Sequence, residues 1–122
     1  MKNIRQRIKE YIEERGWTVF KNPGSIAKSI SIESAELLEV FQWNDYTQEE
    51  ALADEKVKSK IREELADVLI YATEMAISLD LDMEEIMSEK LEKNAKKYPA
   101  DAVRGNQEEY LKLKMEHRSQ NK

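Results

Sequence analysis

Residues 25–43 read as one helix whose apolar stripe carries carboxylates at its border. At about 100° per residue, Ile26, Ile30, Ser34, Leu37 and Phe41 fall within a narrow arc that would face a core. Glu33 lies just inside the edge of that arc, and Glu36 lies one step further round. Because the two are three residues apart, both carboxylates project from one side of the helix. An ordinary surface helix keeps its glutamates opposite the apolar stripe. A carboxylate on the buried border is costly unless something pairs with it.

The same arrangement recurs downstream. An apolar stripe runs through Val57, Ile61, Leu65, Val68, Leu69, Ala72, Ala76 and Leu79, with Glu64 on its flank. Asp67 and Tyr71 continue that flank at three and seven residues beyond Glu64. Four carboxylates brought together by two helices cannot all remain ionised and unpaired. A divalent cation with a preference for oxygen relieves the repulsion.

The rest of the chain sets bounds. Its 122 residues suit one small domain, in which a second copy is a natural source of additional core. Three Gly, two Pro and 37% charged residues favour an all-helical fold with few turns. With no Cys there is neither a disulfide nor a thiolate metal site, which is compatible with a cytoplasmic location. A net charge of −5 argues against a nucleic-acid polymer as partner, since that binding rests on Lys and Arg neutralising phosphates. No apolar run is long enough to span a membrane, and no signal-peptide pattern is seen.

Hydrophobic spacing predicts helices over 3–15, 25–43, 48–53, 56–79 and 83–97, and permits another from about 107. Gly16 is a natural stop, and Ser25 is the expected cap of the second helix. Thr47-Gln48-Glu49-Glu50 and Asp82-Met83-Glu84-Glu85 resemble capping boxes. The alternating acids at Asp80, Asp82 and Glu84 lack the glycine and terminal spacing of a calcium loop. A di-iron bundle needs Glu-x-x-His pairs, whereas the only histidine, His117, lies in the polar tail.

Taken together, Glu33-x-x-Glu36, Glu64-x-x-Asp67 some 30 residues later, and the words IESAELLEVFQW, REELADVLIY and EKNAKKYP resemble the MazG-like nucleoside triphosphate pyrophosphohydrolases. The match runs from about Trp17 to Pro99. The resemblance implies an all-α, four-helix-bundle-type fold completed by oligomerisation, as a homodimer or homotetramer. Residues 1–99 would form the enzyme domain and 100–122 a polar, partly helical extension. The implied reaction is Mg²⁺-dependent attack of an activated water on the α-phosphorus of a (deoxy)nucleoside triphosphate, with Mn²⁺ as a substitute. The products would be a monophosphate and pyrophosphate, in the service of nucleotide-pool housecleaning.

By the same resemblance Glu33, Glu36, Glu64 and Asp67 are the metal set, and Glu36 or Glu39 orients or deprotonates the water. Trp17, Phe20 and Lys21 fall in an aromatic segment near the nucleotide, where many members carry His in place of Lys21. Trp43 is suited to stacking on a base, and Tyr71 to bonding the sugar or a phosphate. Asn94, Lys97 and Tyr98 match the family's distal substrate-side segment. A contrasting reading is a non-catalytic helical interaction module, which full occupation of all four acidic positions disfavours.

Overall fold

The computed structural model describes residues 1–17 and 21–120; Phe20 therefore lies outside the described residues. Every regular element among them is helical, as the spacing predicted. The first compact unit, Met1–Leu81, holds α1 (Ile4–Glu14), α2 (Pro23–Glu39), α3 (Gln48–Ala53) and α4 (Glu55–Ser78). The second, Asp82–Lys122, holds α5 (Met83–Lys97), α6 (Ala100–Val103) and α7 (Gln107–Gln120). No helix among the described residues is long and apolar enough to cross a membrane.

Local chemistry sets most boundaries. Asn3 and Gln6 form a capping box at the start of α1, and Gly16 ends that segment at φ 62°, a left-handed conformation that suits a residue without Cβ. Thr47 and Glu50 form the expected box on α3, with bonds of 3.2 and 3.3 Å. Asp54 caps α4 by accepting from the backbone of Lys56 and Val57. At α5 only half of the expected box forms, with Asp82 accepting from the Glu85 amide at 3.0 Å. The four-residue α6, which starts immediately after Pro99, is too short to leave a periodic signal in the sequence.

α2 differs from expectation at both ends. It starts at Pro23 rather than at a Ser25 cap, because proline in the first turn sacrifices no helical hydrogen bond and supplies the required φ. It stops at Glu39 rather than Trp43. Beyond that point the chain tightens into i→i+3 bonds, Val40 to Leu37, Phe41 to Leu38 and Gln42 to Glu39. The tightened turn sets the Phe41 ring edge-on to Tyr46 at 6.2 Å and leaves Trp43 85% exposed.

α4 is the spine of the first unit, with α1, α2 and α3 all packed against it. Ile8 of α1, Ile26 of α2 and Ala76 of α4 are its buried apolar residues. Arg5 of α1 fastens the far end of α4 by donating to the Leu81 carbonyl at 2.6 Å. The packed faces are rotated relative to the predicted stripes. On α2 the inward side runs through Ile26, Ile30, Glu33, Leu37 and Val40, while Ser34 faces solvent. On α4, Glu64 is buried whereas Leu65 and Leu69 are exposed. The carboxylates thus lie on the packed faces themselves, not merely at their borders.

Candidate metal and nucleotide site

α2 and α4 position the acidic cluster. Glu33 and Glu36 lie one turn apart on α2, and Glu64 and Asp67 one turn apart on α4. Carboxylate oxygens of Glu33, Glu64 and Asp67 converge to within 4.8 Å of one another. Glu64 is buried, Glu33 partly so, and Asp67 opens to solvent, which gives the cluster a closed side and an accessible one. Oε2 of Glu33 and Oε2 of Glu64 are both buried with no hydrogen-bond partner. Buried acceptors without partners are costly. Hard oxygen donors with unused lone pairs are what Mg²⁺ or Mn²⁺ requires, so the donor set fits such an ion.

Glu36 adjoins this trio and lines a recess of about 450 Å³ with Glu39, Val40, Lys60 and Glu64. Its pKa is pushed up to about 7, first by Glu33, whose carboxylate both shares the proton and repels a second negative charge. Glu64 is pulled the other way. Lys60, one turn earlier on α4, donates to Glu64 Oε1 at 2.9 Å and holds its pKa below the usual value. The two acids are therefore driven apart in proton affinity. Such divergence is common where proton transfer is performed. Tyr71 sits half-buried near the same charges; burial, then Glu74, Glu33 and Asp67, raise its pKa, so its hydroxyl remains a donor at neutral pH.

The other expected substrate residues fall in several places. Trp17 packs edge-on against Tyr11 at 5.5 Å. Lys21 lines a separate 300 Å³ cavity with Lys9, Glu13 and Glu74. Trp43 stands exposed in the turn after α2. Asn94, Lys97 and Tyr98 come together on one cavity wall in the second unit. Sequence reasoning passed over two residues of α4, Lys60 beside the cluster and Glu74 away from it. Lys60 had a readable signal in its i,i+4 spacing from Glu64. Glu74, 3% exposed, also had one, since it continues the flank of Glu64, Asp67 and Tyr71 at ten, seven and three residues beyond them.

Comparison with known proteins points the same way. A sequence profile of the MazG-like family matches residues 28–113, which include all four acidic positions. Mouse dCTP pyrophosphatase 1 is 32% identical over 114 residues, spanning 93% of this chain and 67% of the mouse protein. Human dCTP pyrophosphatase 1 is 29% identical over the same shares of each chain. The crystal structure of a pyrophosphatase from Archaeoglobus fulgidus superposes with a TM-score of 0.69 at 41% identity, covering 77% of this chain and 87% of that one. The chain belongs to the MazG-like family and is a nucleotide pyrophosphohydrolase.

Proposed function

We propose that the protein hydrolyses (deoxy)nucleoside triphosphates to a monophosphate and pyrophosphate in a Mg²⁺-dependent reaction, with dCTP the first substrate to test. The observation that carries this reading is the convergence of Glu33, Glu64 and Asp67 oxygens within 4.8 Å, two of the carboxylates having buried, unpartnered oxygens. Glu33, Glu64 and Asp67, with Glu36 beside them, would hold the ion. When bound, Mg²⁺ neutralises phosphate charge and makes water acidic enough to act as a nucleophile near neutral pH.

The chain's own residues do the remainder. A water oxygen bonds to the α-phosphorus, the bond to the oxygen bridging to the β-phosphate breaks, and the water's proton passes to a carboxylate. Glu36 suits that acceptor role by position, since it lines the recess that opens beside the cluster. Glu39, in the same recess, is the second candidate. Lys60 keeps Glu64 ionised and oriented. Trp17, Lys21, Trp43, Tyr71, Asn94, Lys97 and Tyr98 are proposed to contact the nucleotide.

We further propose that residues 1–99 form the catalytic domain, with 100–122 as an extension, and that the protein works as a homodimer or homotetramer in the cytoplasm, maintaining the nucleotide pool. Support for assembly comes from Leu65 and Leu69 on α4 and Ile32 and Leu38 on α2, each between 44% and 69% exposed. Leaving four such side chains in water forfeits the main driving force of folding. The test of function is a product assay over a panel of nucleoside triphosphates, with and without Mg²⁺. Monophosphate and pyrophosphate formed only with metal support the reading. Diphosphate and phosphate, or no turnover of any substrate, overturn it.

A further inference from the structure

Glu64, Asp67, Tyr71 and Glu74 follow one another on α4 at spacings of three, four and three residues, so they share one face of the helix. At a rise of about 1.5 Å per residue, Glu74 lies about 10 Å along that face from Asp67. Tyr71 stands between them. Burial raises its pKa, and the charges of Glu74, Glu33 and Asp67 add to the effect, so the phenol feels both the acidic cluster and Glu74. That separation is comparable with the reach of a nucleotide from its α-phosphorus, past the sugar, to the outer edge of its base.

At the far end of this face Glu74 lines a cavity of about 300 Å³, bounded by α1, by Lys21 and by α4. The volume is at the small end for ligand pockets and suits a single ring. Ile12 of α1 and Ile77 of α4, both half-buried, form its apolar walls. Ser78 fastens the connection that follows α1 by donating to the Lys21 carbonyl at 2.8 Å. Glu74 is 3% exposed, and its Oε2 is buried with no hydrogen-bond partner. Lys9, Glu13 and Lys21 also line the cavity, but all three are exposed, and neither lysine makes an ion pair among the described residues. A buried acceptor left without a donor is costly, and a donor carried in by a ligand removes that cost. An apolar slot with one such acceptor fits a flat ring that carries an N–H group on its edge.

We propose that Glu74 is the specificity-determining residue of the substrate site: its carboxylate accepts a hydrogen bond from the exocyclic amino group of a cytosine seated between Ile12 and Ile77, and so favours dCTP over dUTP. Uracil carries a keto oxygen in place of that amino group, which sets two acceptors against each other. Glu74 takes no part in breaking the phosphate bond. The inference rests on the proposed function, which puts the triphosphate at the acidic cluster two turns away.

The test compares kcat/KM for dCTP and dUTP with Mg²⁺, and calorimetric binding of dCMP and dUMP, in the wild type and in Glu74→Gln. All are run at pH 8, above the value of about 7 to which burial raises Glu74, so that its carboxylate only accepts. The wild type should favour the cytosine nucleotides by about tenfold or more. A glutamine amide both donates and accepts, so it tolerates the keto edge, and the preference should fall towards one. Thermal unfolding checks that the variant is folded. A purely structural Glu74 would change the rates for both substrates together and leave their ratio alone. Equal use of dCTP and dUTP by the wild type, or a ratio unchanged in Glu74→Gln, overturns the inference and leaves the hydrolase standing. Selective dCMP binding that Glu74→Gln loses, without turnover of any triphosphate, would sink the proposed function and leave the role of Glu74 in reading the base.

Discussion

Glu74 is a buried carboxyl to which the proposed chemistry gives no part, and its cost is measurable. It lies on α4 with 3% exposure, and its Oε2 has no hydrogen-bond partner. Burial raises its pKa from 4.5 to about 7. Each pH unit is worth about 1.4 kcal/mol, so the full displacement corresponds to roughly 3 kcal/mol. The adjoining cavity of about 300 Å³ has room for water, and Lys9, Glu13 and Lys21 line it as well. Solvent screening reduces the expected effect to about 1–2 kcal/mol.

The sign follows from linkage. Below about pH 4.5 Glu74 is protonated in both folded and unfolded chains, and its ionisation costs nothing. Between 4.5 and about 7 the unfolded chain ionises while the folded one resists, so stability falls as pH rises. Above about 7 the whole cost is present. Glu74→Gln removes it. Thermal unfolding of wild type and variant, metal-free, should give equal Tm values near pH 4. Near pH 8 the variant should melt about 5 °C higher, at roughly 4 °C per kcal/mol for a domain of this size. Glu36 titrates in both proteins and cancels in the difference. A difference in Tm that does not change with pH refutes the reasoning. A variant less stable at pH 8 would mean that Lys9 or Lys21 pairs with the charge.

Three further outcomes are expected. Asp67→Asn should lower Mg²⁺ affinity by at least about tenfold and abolish turnover while the circular dichroism stays helical; retained turnover would remove Asp67 from the site. Since Glu36 must shed its proton to face a cation, and its pKa is about 7, Mg²⁺ affinity measured by calorimetry should tighten between about pH 6 and pH 8 and then level off. A flat profile would count against Glu36 as a neighbour of the ion. Leu69→Asp, on the exposed side of α4, should shift the protein to monomer in sedimentation experiments; an unchanged mass would move the assembly surface elsewhere.

The helices were legible because their signals are local. Thr47 and Glu50, or Pro99 after Lys97, act on their own turn wherever the chain goes next. The end of α2 was not legible, because the switch to i→i+3 bonds after Glu39 depends on where Phe41 finds Tyr46. The acidic motif was readable as a set of residues, but its depth was not. An apolar arc drawn through Ser34 and Leu65 placed the carboxylates on the border, whereas the packed faces run through Glu33 and Glu64. Helical periodicity gives the direction of an apolar side to within about one residue's rotation, and here that rotation separates a flanking carboxylate from a buried one. The cavity of the second unit was invisible for a different reason. Asn94 and Lys97 come to line it with Lys114 and Arg118 only through the packing of α5 on α7, and no spacing rule links residues on separate helices.

The most direct test of the acidic cluster's role is hydrolysis of dCTP in ¹⁸O-labelled water with Mg²⁺, followed by mass spectrometry of both products. Attack at the α-phosphorus places the label in the monophosphate and none in the pyrophosphate, and Asp67→Asn should form neither product. Label in the pyrophosphate, or products of diphosphate and phosphate, would contradict the account.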